Sequence, residues 1–111
     1  MDSELAKRLN ALNEQNDALR EAEGEFLALK GEKDSLLAML TTKAEGKSHS
    51  ERETIALASD DWRKFNKALS LIETDYQYQR RRFAILEKAY LAEHASFTAE
   101  AKLIKRQGIM T

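Results

Sequence analysis

An apolar residue recurs at every seventh position through the second half of the chain, from position 55 to position 104. The members of this series are Ile55, Trp62, Leu69, Tyr76, Phe83, Tyr90, Phe97 and Ile104. A seven-residue apolar period of this length is typical of a helix that packs along another helix as a coiled coil. Strands are not compatible with it, because their apolar faces repeat every second residue. The series predicts one long helix over about residues 50–106, with a kink allowed near residues 59–61, where Ser59-Asp60-Asp61 can open a new helix.

The first half of the chain carries its own apolar seam, which advances in steps of three and four residues and predicts a helix over about residues 3–44. The seam comprises Leu5, Leu9, Leu12, Asn16, Leu19, Ala22, Phe26, Leu29, Lys33, Leu36 and Leu40. Asn16 is expected to be a buried polar residue that fixes the register of the pairing. The chain has no proline and only four glycines, which favours long helices joined by few turns.

Residues 45–49 are predicted to form the turn between the two helices. Gly46 can supply a left-handed residue that ends the first helix. Ser50 and Glu53 have the spacing of a capping box for the second helix, and Ser48 with Glu51 offers the same arrangement two residues earlier. Because so short a turn makes the helices antiparallel neighbours, the sequence predicts a single all-α domain, an antiparallel two-helix coiled-coil hairpin.

The predicted hairpin leaves apolar residues uncovered, which indicates self-association. If Leu40 lies opposite Ile55, the last ~15 residues extend beyond the first helix. The second helix also carries an additional apolar stripe at seven-residue spacing, which one partner helix cannot cover together with the first seam. The candidate interface residues are Leu71, Tyr78, Ile85, Leu91, Phe97, Leu103 and Ile104. We expect a homo-oligomer that forms a helical bundle, with a different protein as the alternative partner.

The residue types present argue against catalysis and cofactors. The chain has no cysteine and no glycine-rich phosphate loop, and its histidines, His49 and His94, lie in no metal-ligand spacing. His94 is expected to be a partly buried structural residue. We therefore predict a protein that is not an enzyme and holds no metal or cofactor. No signal-like segment and no apolar run of about 20 residues is present, so a cytoplasmic protein of a bacterial host, without membrane contact, is expected.

Basic and aromatic residues alternate in the middle of the second helix and suggest contact with nucleic acid. Tyr76, Tyr78 and Phe83 surround three consecutive arginines, and three more basic residues follow near the end. The binding candidates are Arg80, Arg81, Arg82, Lys102, Lys105 and Arg106. Arginines neutralise phosphates, and aromatic rings stack on unpaired bases. In the alternative interpretation, the rings are core residues and the arginines pair with the acidic first helix, since residues 1–46 carry a net charge of −4 and residues 47–111 one of +3.

The turn also resembles a recurring pattern of phage proteins. The segment Ala44-Glu45-Gly46-Lys47-Ser48-His49-Ser50-Glu51-Arg52-Glu53 is similar to the A-x-G-K-(S/T)-x-x-E-R-E turn of small helical bacteriophage and prophage proteins. Genes for such proteins often lie in replication and recombination modules. In its general layout the chain is also similar to recombination mediators of the UvsY kind, which are small, helical and oligomeric. The resemblance implies a role beside recombinase and single-stranded DNA.

Three functions are therefore open. The first is a non-enzymatic, oligomeric phage accessory protein that assists DNA recombination or replication by binding single-stranded DNA or a recombination protein. The second is a coiled-coil adaptor or an inhibitor of a host protein, without affinity for DNA. The third is a structural or scaffold component of a phage. The net charge of −1 argues against tight, autonomous binding of nucleic acid.

Overall fold

The computed structural model describes residues 3–110, and their side chains from Glu4 to Lys105. Over this range the chain forms three α-helices and no strand, α1 (Ser3–Lys43), α2 (His49–Leu57) and α3 (Asp60–Met110). The prediction of an all-α protein is therefore confirmed. Contacts divide the chain into two compact units: unit 1 is Met1–Arg20 with Tyr78–Thr111, and unit 2 is Glu21–Gln77.

Unit 2 contains the apolar residues of the described chain that are buried, namely Ala22, Leu40, Ala56 and Leu69. The ring of Phe26 on α1 stacks on Tyr76 of α3 with centroids 5.3 Å apart, and the Tyr76 hydroxyl donates a hydrogen bond of 3.2 Å to Glu23. Further along α1, the Lys33 ammonium lies 5.9 Å from the ring centroid of Trp62. Because Phe26 meets Tyr76 and the later Lys33 meets the earlier Trp62, α1 and α3 are antiparallel within this unit.

The turn between α1 and α2 uses the earlier of the two predicted capping boxes. Ser48 is the N-cap of α2, and its hydroxyl oxygen accepts a 3.1 Å hydrogen bond from the Glu51 amide. The Glu51 carboxylate accepts in return from the amide of Lys47 at 3.2 Å. The box predicted at Ser50 and Glu53 does not form, because α2 has already begun at His49, and Glu53 instead pairs with His49 at 3.5 Å.

Gly46 has a different role from the one predicted, since no described residue has a positive φ. A Cβ atom at Gly46 would lie 2.9 Å from Cγ and 3.1 Å from the backbone nitrogen of Arg52. Arg52 also donates a hydrogen bond of 3.2 Å from its guanidinium to the Gly46 carbonyl. Glycine is therefore required here for the close approach of the turn to the first turn of α2, and not for a left-handed cap.

The predicted interruption near residues 59–61 corresponds to the boundary between α2 and α3. The Ser59 hydroxyl donates to the carbonyl of Ala56 at 2.6 Å and accepts from the amide of Trp62 at 3.2 Å, so one side chain serves both helix ends. The break changes the phase of the apolar series. Ile55, predicted at the seam, is exposed, and its neighbour Ala56 is buried instead.

Unit 1 has a polar centre. Gln15 is the buried residue among its described side chains, whereas Asn16, predicted to be the buried polar residue, is half-buried, and the seam residue Leu9 is exposed. Gln15 lies one heptad before the buried Ala22, and Arg8 lies one heptad before Gln15, so these positions share one side of α1. Arg8 accordingly faces α3, with its Nε atom 3.7 Å from a carboxylate oxygen of Glu93.

Candidate nucleic-acid interface

A shallow apolar groove with basic walls lies on α3 within unit 1. It is lined by Tyr78, Arg81, Arg82, Ile85 and Leu86. Steps of three and four residues along a helix bring side chains to one side of it, which is why this sequence forms a continuous surface. Tyr78 and Ile85 are among the exposed large apolar residues, and both arginines are exposed as well. An aromatic ring and two guanidinium groups are thus accessible together.

Arg82 is anchored from below by Gln15 of α1. The Nε atom of Arg82 donates a hydrogen bond of 3.0 Å to the amide oxygen of Gln15. The amide nitrogen of Gln15 donates to both the backbone and side-chain oxygens of Gln79. Because the backbone carbonyl of Gln79 can only accept and Nε of Arg82 can only donate, the amide orientation of Gln15 is fixed, with its oxygen toward Arg82. The bond engages Nε and leaves the two terminal nitrogens of the guanidinium as further donors.

Gln15 also bears on the alternative interpretation of the arginines as partners of the acidic first helix. The α1 group that holds Arg82 is a neutral amide and not a carboxylate. An ion pair between α1 and α3 in unit 1 has the opposite polarity, with the cation Arg8 on α1 and the anion Glu93 on α3. Anchoring by a neutral group leaves the positive charge of Arg82 uncompensated at this contact.

The remaining predicted basic residues do not join the groove. Arg80 is exposed and engaged in an interaction of its own, and it lies about 100° around α3 from Arg81. Lys102 and Lys105 are exposed. At ~1.5 Å per residue they lie on the order of 30 Å along the helix from Arg82, too far to contact the same phosphate. The side chain of Arg106 lies outside the described residues.

All of the predicted interface residues are exposed in the single chain. Their exposed fractions run from 47% for Phe97 to 68% for Ile104. The set comprises Leu71, Tyr78, Ile85, Leu91, Phe97, Leu103 and Ile104. Leu71 belongs to unit 2 and the others to unit 1. An apolar surface of this extent on one chain is typical of an interaction site. That a second copy of the chain covers it stays a prediction.

Sequence reasoning missed two residues of this region. Gln15 was missed because it occupies a position one residue away from the predicted seam, although it lies one heptad before the buried Ala22. Lys88 was missed because it is isolated in the sequence, yet it follows Arg81 by seven residues and is exposed. Both could have been found by counting seven residues along the helix, back from Ala22 and forward from Arg81.

Other parts of the described chain offer less chemistry. A wider concavity in unit 2 lies between the end of α1 and α2, and its Arg52 and His49 are already bonded to Gly46 and Glu53. His94 is exposed beside Tyr90, not partly buried as predicted, because it lies on the flank of α3 one turn beyond that half-buried ring. Residues 4–105 contain no group of three acidic or histidine side chains placed to hold a metal.

None of the described helices contains an apolar stretch able to cross a membrane. No protein-family model, curated protein or solved structure matches the chain.

Proposed function

We propose that the protein is a non-enzymatic, oligomeric accessory protein that assists DNA recombination or replication by binding single-stranded DNA on unit 1. The observation that carries the proposal is the groove in which the exposed ring of Tyr78 lies beside Arg81 and Arg82. Guanidinium groups pair with phosphate oxygens, and an accessible ring stacks on an unpaired base. A duplex offers the phosphates but keeps its bases stacked, so the combination favours a single strand.

Oligomerisation belongs to the same proposal for an energetic reason. With a net charge of −1, one chain attracts a polyanion weakly and presents only a short basic patch. Linked copies that bind one strand together gain effective concentration, which raises overall avidity without new contacts. The exposed apolar side chains of unit 1 supply the surface for such an assembly. The resemblance of the turn to phage replication and recombination proteins supports the same context.

The test is the binding of a fluorescently labelled oligothymidylate, followed by anisotropy between low and moderate salt. Wild-type protein is expected to bind at low salt, with affinity that falls steeply as salt rises. The Arg81→Ala/Arg82→Ala double variant is expected to lose most of this binding. If each arginine contacts one phosphate, its salt slope should fall by about 1.4, since each neutralised phosphate of a single strand contributes ~0.7.

The chain offers a charge-matched control for this variant. Lys7 and Arg20 are exposed residues of α1 in unit 1, and Lys7→Ala/Arg20→Ala removes the same charge from residues that do not line the groove. It should bind the oligonucleotide nearly as the wild type does. Absence of binding at low salt, or equal losses in the two double variants, would contradict a site at Arg81 and Arg82.

A second candidate function is a protein-binding adaptor without affinity for DNA. The extent of exposed apolar surface favours it, because a protein partner could cover the same residues. Light scattering coupled to size exclusion separates the two candidates when it is combined with the binding assay. A monomer that does not bind the oligonucleotide would favour the adaptor, whereas an oligomer that binds it supports the main proposal.

A further inference from the structure

One side of α3 in unit 1 combines apolar and positively charged residues, and we call it the ligand face. It consists of Tyr78, Arg81, Ile85 and Lys88, which follow one another in steps of three and four residues and are all exposed. Such steps place side chains in one row along a helix. Lys88 extends the groove by one further cation, ~10 Å along the axis from Arg81.

The acidic residues of the same stretch lie elsewhere around α3. Glu93 is directed toward α1, where it pairs with Arg8. Glu100 follows Glu93 by seven residues and therefore shares its side of the helix. Glu87 adjoins Lys88 in the sequence, so it lies about 100° away from it around the axis. The ligand face is thus positively charged along its whole length, with apolar residues between the cations.

This charge distribution determines what can cover Tyr78 and Ile85. In a two-fold symmetric dimer each copy contributes the same patch. If two ligand faces packed against each other, Arg81 and Lys88 of one copy would lie opposite the same cations of the other copy. Like charges placed together across an interface oppose association strongly. An anionic partner, in contrast, can pair with Arg81 and Lys88 while it covers Tyr78 and Ile85.

The end of α3 differs in this respect. Phe97, Leu103 and Ile104 are exposed there, and the charges around them are of both signs, with Glu100 beside Lys102 and Lys105. An antiparallel pairing of two such segments can place unlike charges opposite each other while it buries the apolar residues. Self-association is therefore compatible with this segment and not with the ligand face.

We infer that the exposed residues of unit 1 serve two separate partners: the ligand face binds single-stranded DNA, and the segment around Phe97, Leu103 and Ile104 binds a second copy of the chain. Phosphates contact Lys88 in addition to Arg81 and Arg82, a base stacks on Tyr78, and Ile85 gives the neighbouring base an apolar contact. This inference rests on the proposed function for its ligand, and it removes Tyr78 and Ile85 from the predicted self-interface.

The test compares two double variants, each measured in two assays. Tyr78→Ala/Lys88→Ala should weaken binding of labelled oligothymidylate by about tenfold or more, since stacking on one ring is worth roughly that factor. Its molar mass by light scattering should equal that of the wild type. Leu103→Ser/Ile104→Ser should lower the molar mass. All four positions are exposed, so circular dichroism should report the same helix content for both variants.

Each contrary result has its own meaning. A drop in molar mass for Tyr78→Ala/Lys88→Ala would place the ligand face in the self-interface and overturn the inference. An unchanged mass for Leu103→Ser/Ile104→Ser, or a monomeric wild type, would overturn the assignment of the α3 end. If the wild type is oligomeric but binds no oligonucleotide, the proposed function fails, and with it the ligand named here. The molar masses of the two double variants would still decide whether the ligand face is separate from the self-interface.

Discussion

The amide oxygen of Gln15 on α1 accepts a 3.0 Å hydrogen bond from Nε of Arg82 on α3. Gln15 is buried, whereas Arg82 belongs to the wall of an exposed groove. The bond therefore connects the polar centre of unit 1 to its candidate binding surface. The bond contributes to stability, because a buried amide that loses its partners costs free energy. It also orients the guanidinium of Arg82, a cation that faces solvent.

Replacement of Gln15 by leucine should destabilise the protein. The change leaves the backbone and side-chain carbonyl oxygens of Gln79 and the Nε of Arg82 without this partner, and we expect a loss of about 1–3 kcal/mol in the free energy of unfolding. Urea denaturation followed by circular dichroism measures it. The exposed Asn13 on the same helix is the control, and Asn13→Leu should stay within ~0.5 kcal/mol of the wild type. Equal stability of the two variants would show that the Gln15 bonds contribute nothing.

Substitution by alanine should change stability in one direction at Gly46 and in the opposite direction at Gly24 and Gly31. Gly46→Ala is expected to destabilise by about 1–3 kcal/mol, because the new methyl group meets Arg52 at 2.9 Å from Cγ and 3.1 Å from the backbone nitrogen. Gly24 and Gly31 lie within α1, and apart from the helix's own backbone no described atom lies within 4 Å of an added Cβ atom there. Alanine at either should raise stability by about 0.5–1 kcal/mol through helix propensity. Thermal unfolding of the three single variants distinguishes these effects.

Stability changes opposite to these would each have a specific structural cause. A Gly46→Ala variant as stable as the wild type would mean that the turn relaxes away from α2 at little cost. If Gly24→Ala or Gly31→Ala lowers stability in a concentration-dependent manner, another copy must approach that side of α1, since no other described part of the chain comes within 4 Å of the added Cβ atom.

The two serines near the start of α2 should differ although they are only two positions apart. Ser48→Ala removes the acceptor of the Glu51 amide and is expected to reduce stability by about 1 kcal/mol. The hydroxyl of Ser50 caps no amide, because Ser50 already lies inside α2. Ser50→Ala should therefore be neutral or slightly stabilising. Comparison of the two midpoints of denaturation is the measurement, and a larger loss at Ser50 would favour the later capping box.

The sequence allowed the helices and their interruption to be predicted, because apolar periodicity and capping residues are local signals. Residue-level detail failed where it depended on three-dimensional proximity. Asn16 and Gln15 differ by one position, and the pairing of α1 with α3 decides which of them is buried. The role of Gly46 depends on how close Arg52 comes, which no spacing reveals.

The candidate site was partly predictable for the same reasons. Tyr78, Arg81, Arg82 and Ile85 have the spacing of one helical face, so their common groove follows from α3 alone. The anchor of Arg82 lies 67 residues away in the sequence, and its discovery required the pairing of α1 with α3 in unit 1. Exposure of the apolar residues was predicted from the additional stripe and from the length by which the second helix exceeds the first, whereas the partner that covers them depends on molecules outside the chain.

The most direct test of the central claim places a fluorophore at position 78. In a Trp62→Phe/Tyr78→Trp variant the sole tryptophan lies in the groove beside Arg81 and Arg82. Stacking of a base on this ring should quench its emission as oligothymidylate is added, with the same midpoint as the anisotropy of a labelled strand. The wild type is the control, because Trp62 belongs to unit 2 and its emission should not change. Saturable DNA binding that leaves the emission at position 78 unaltered would contradict the proposed site.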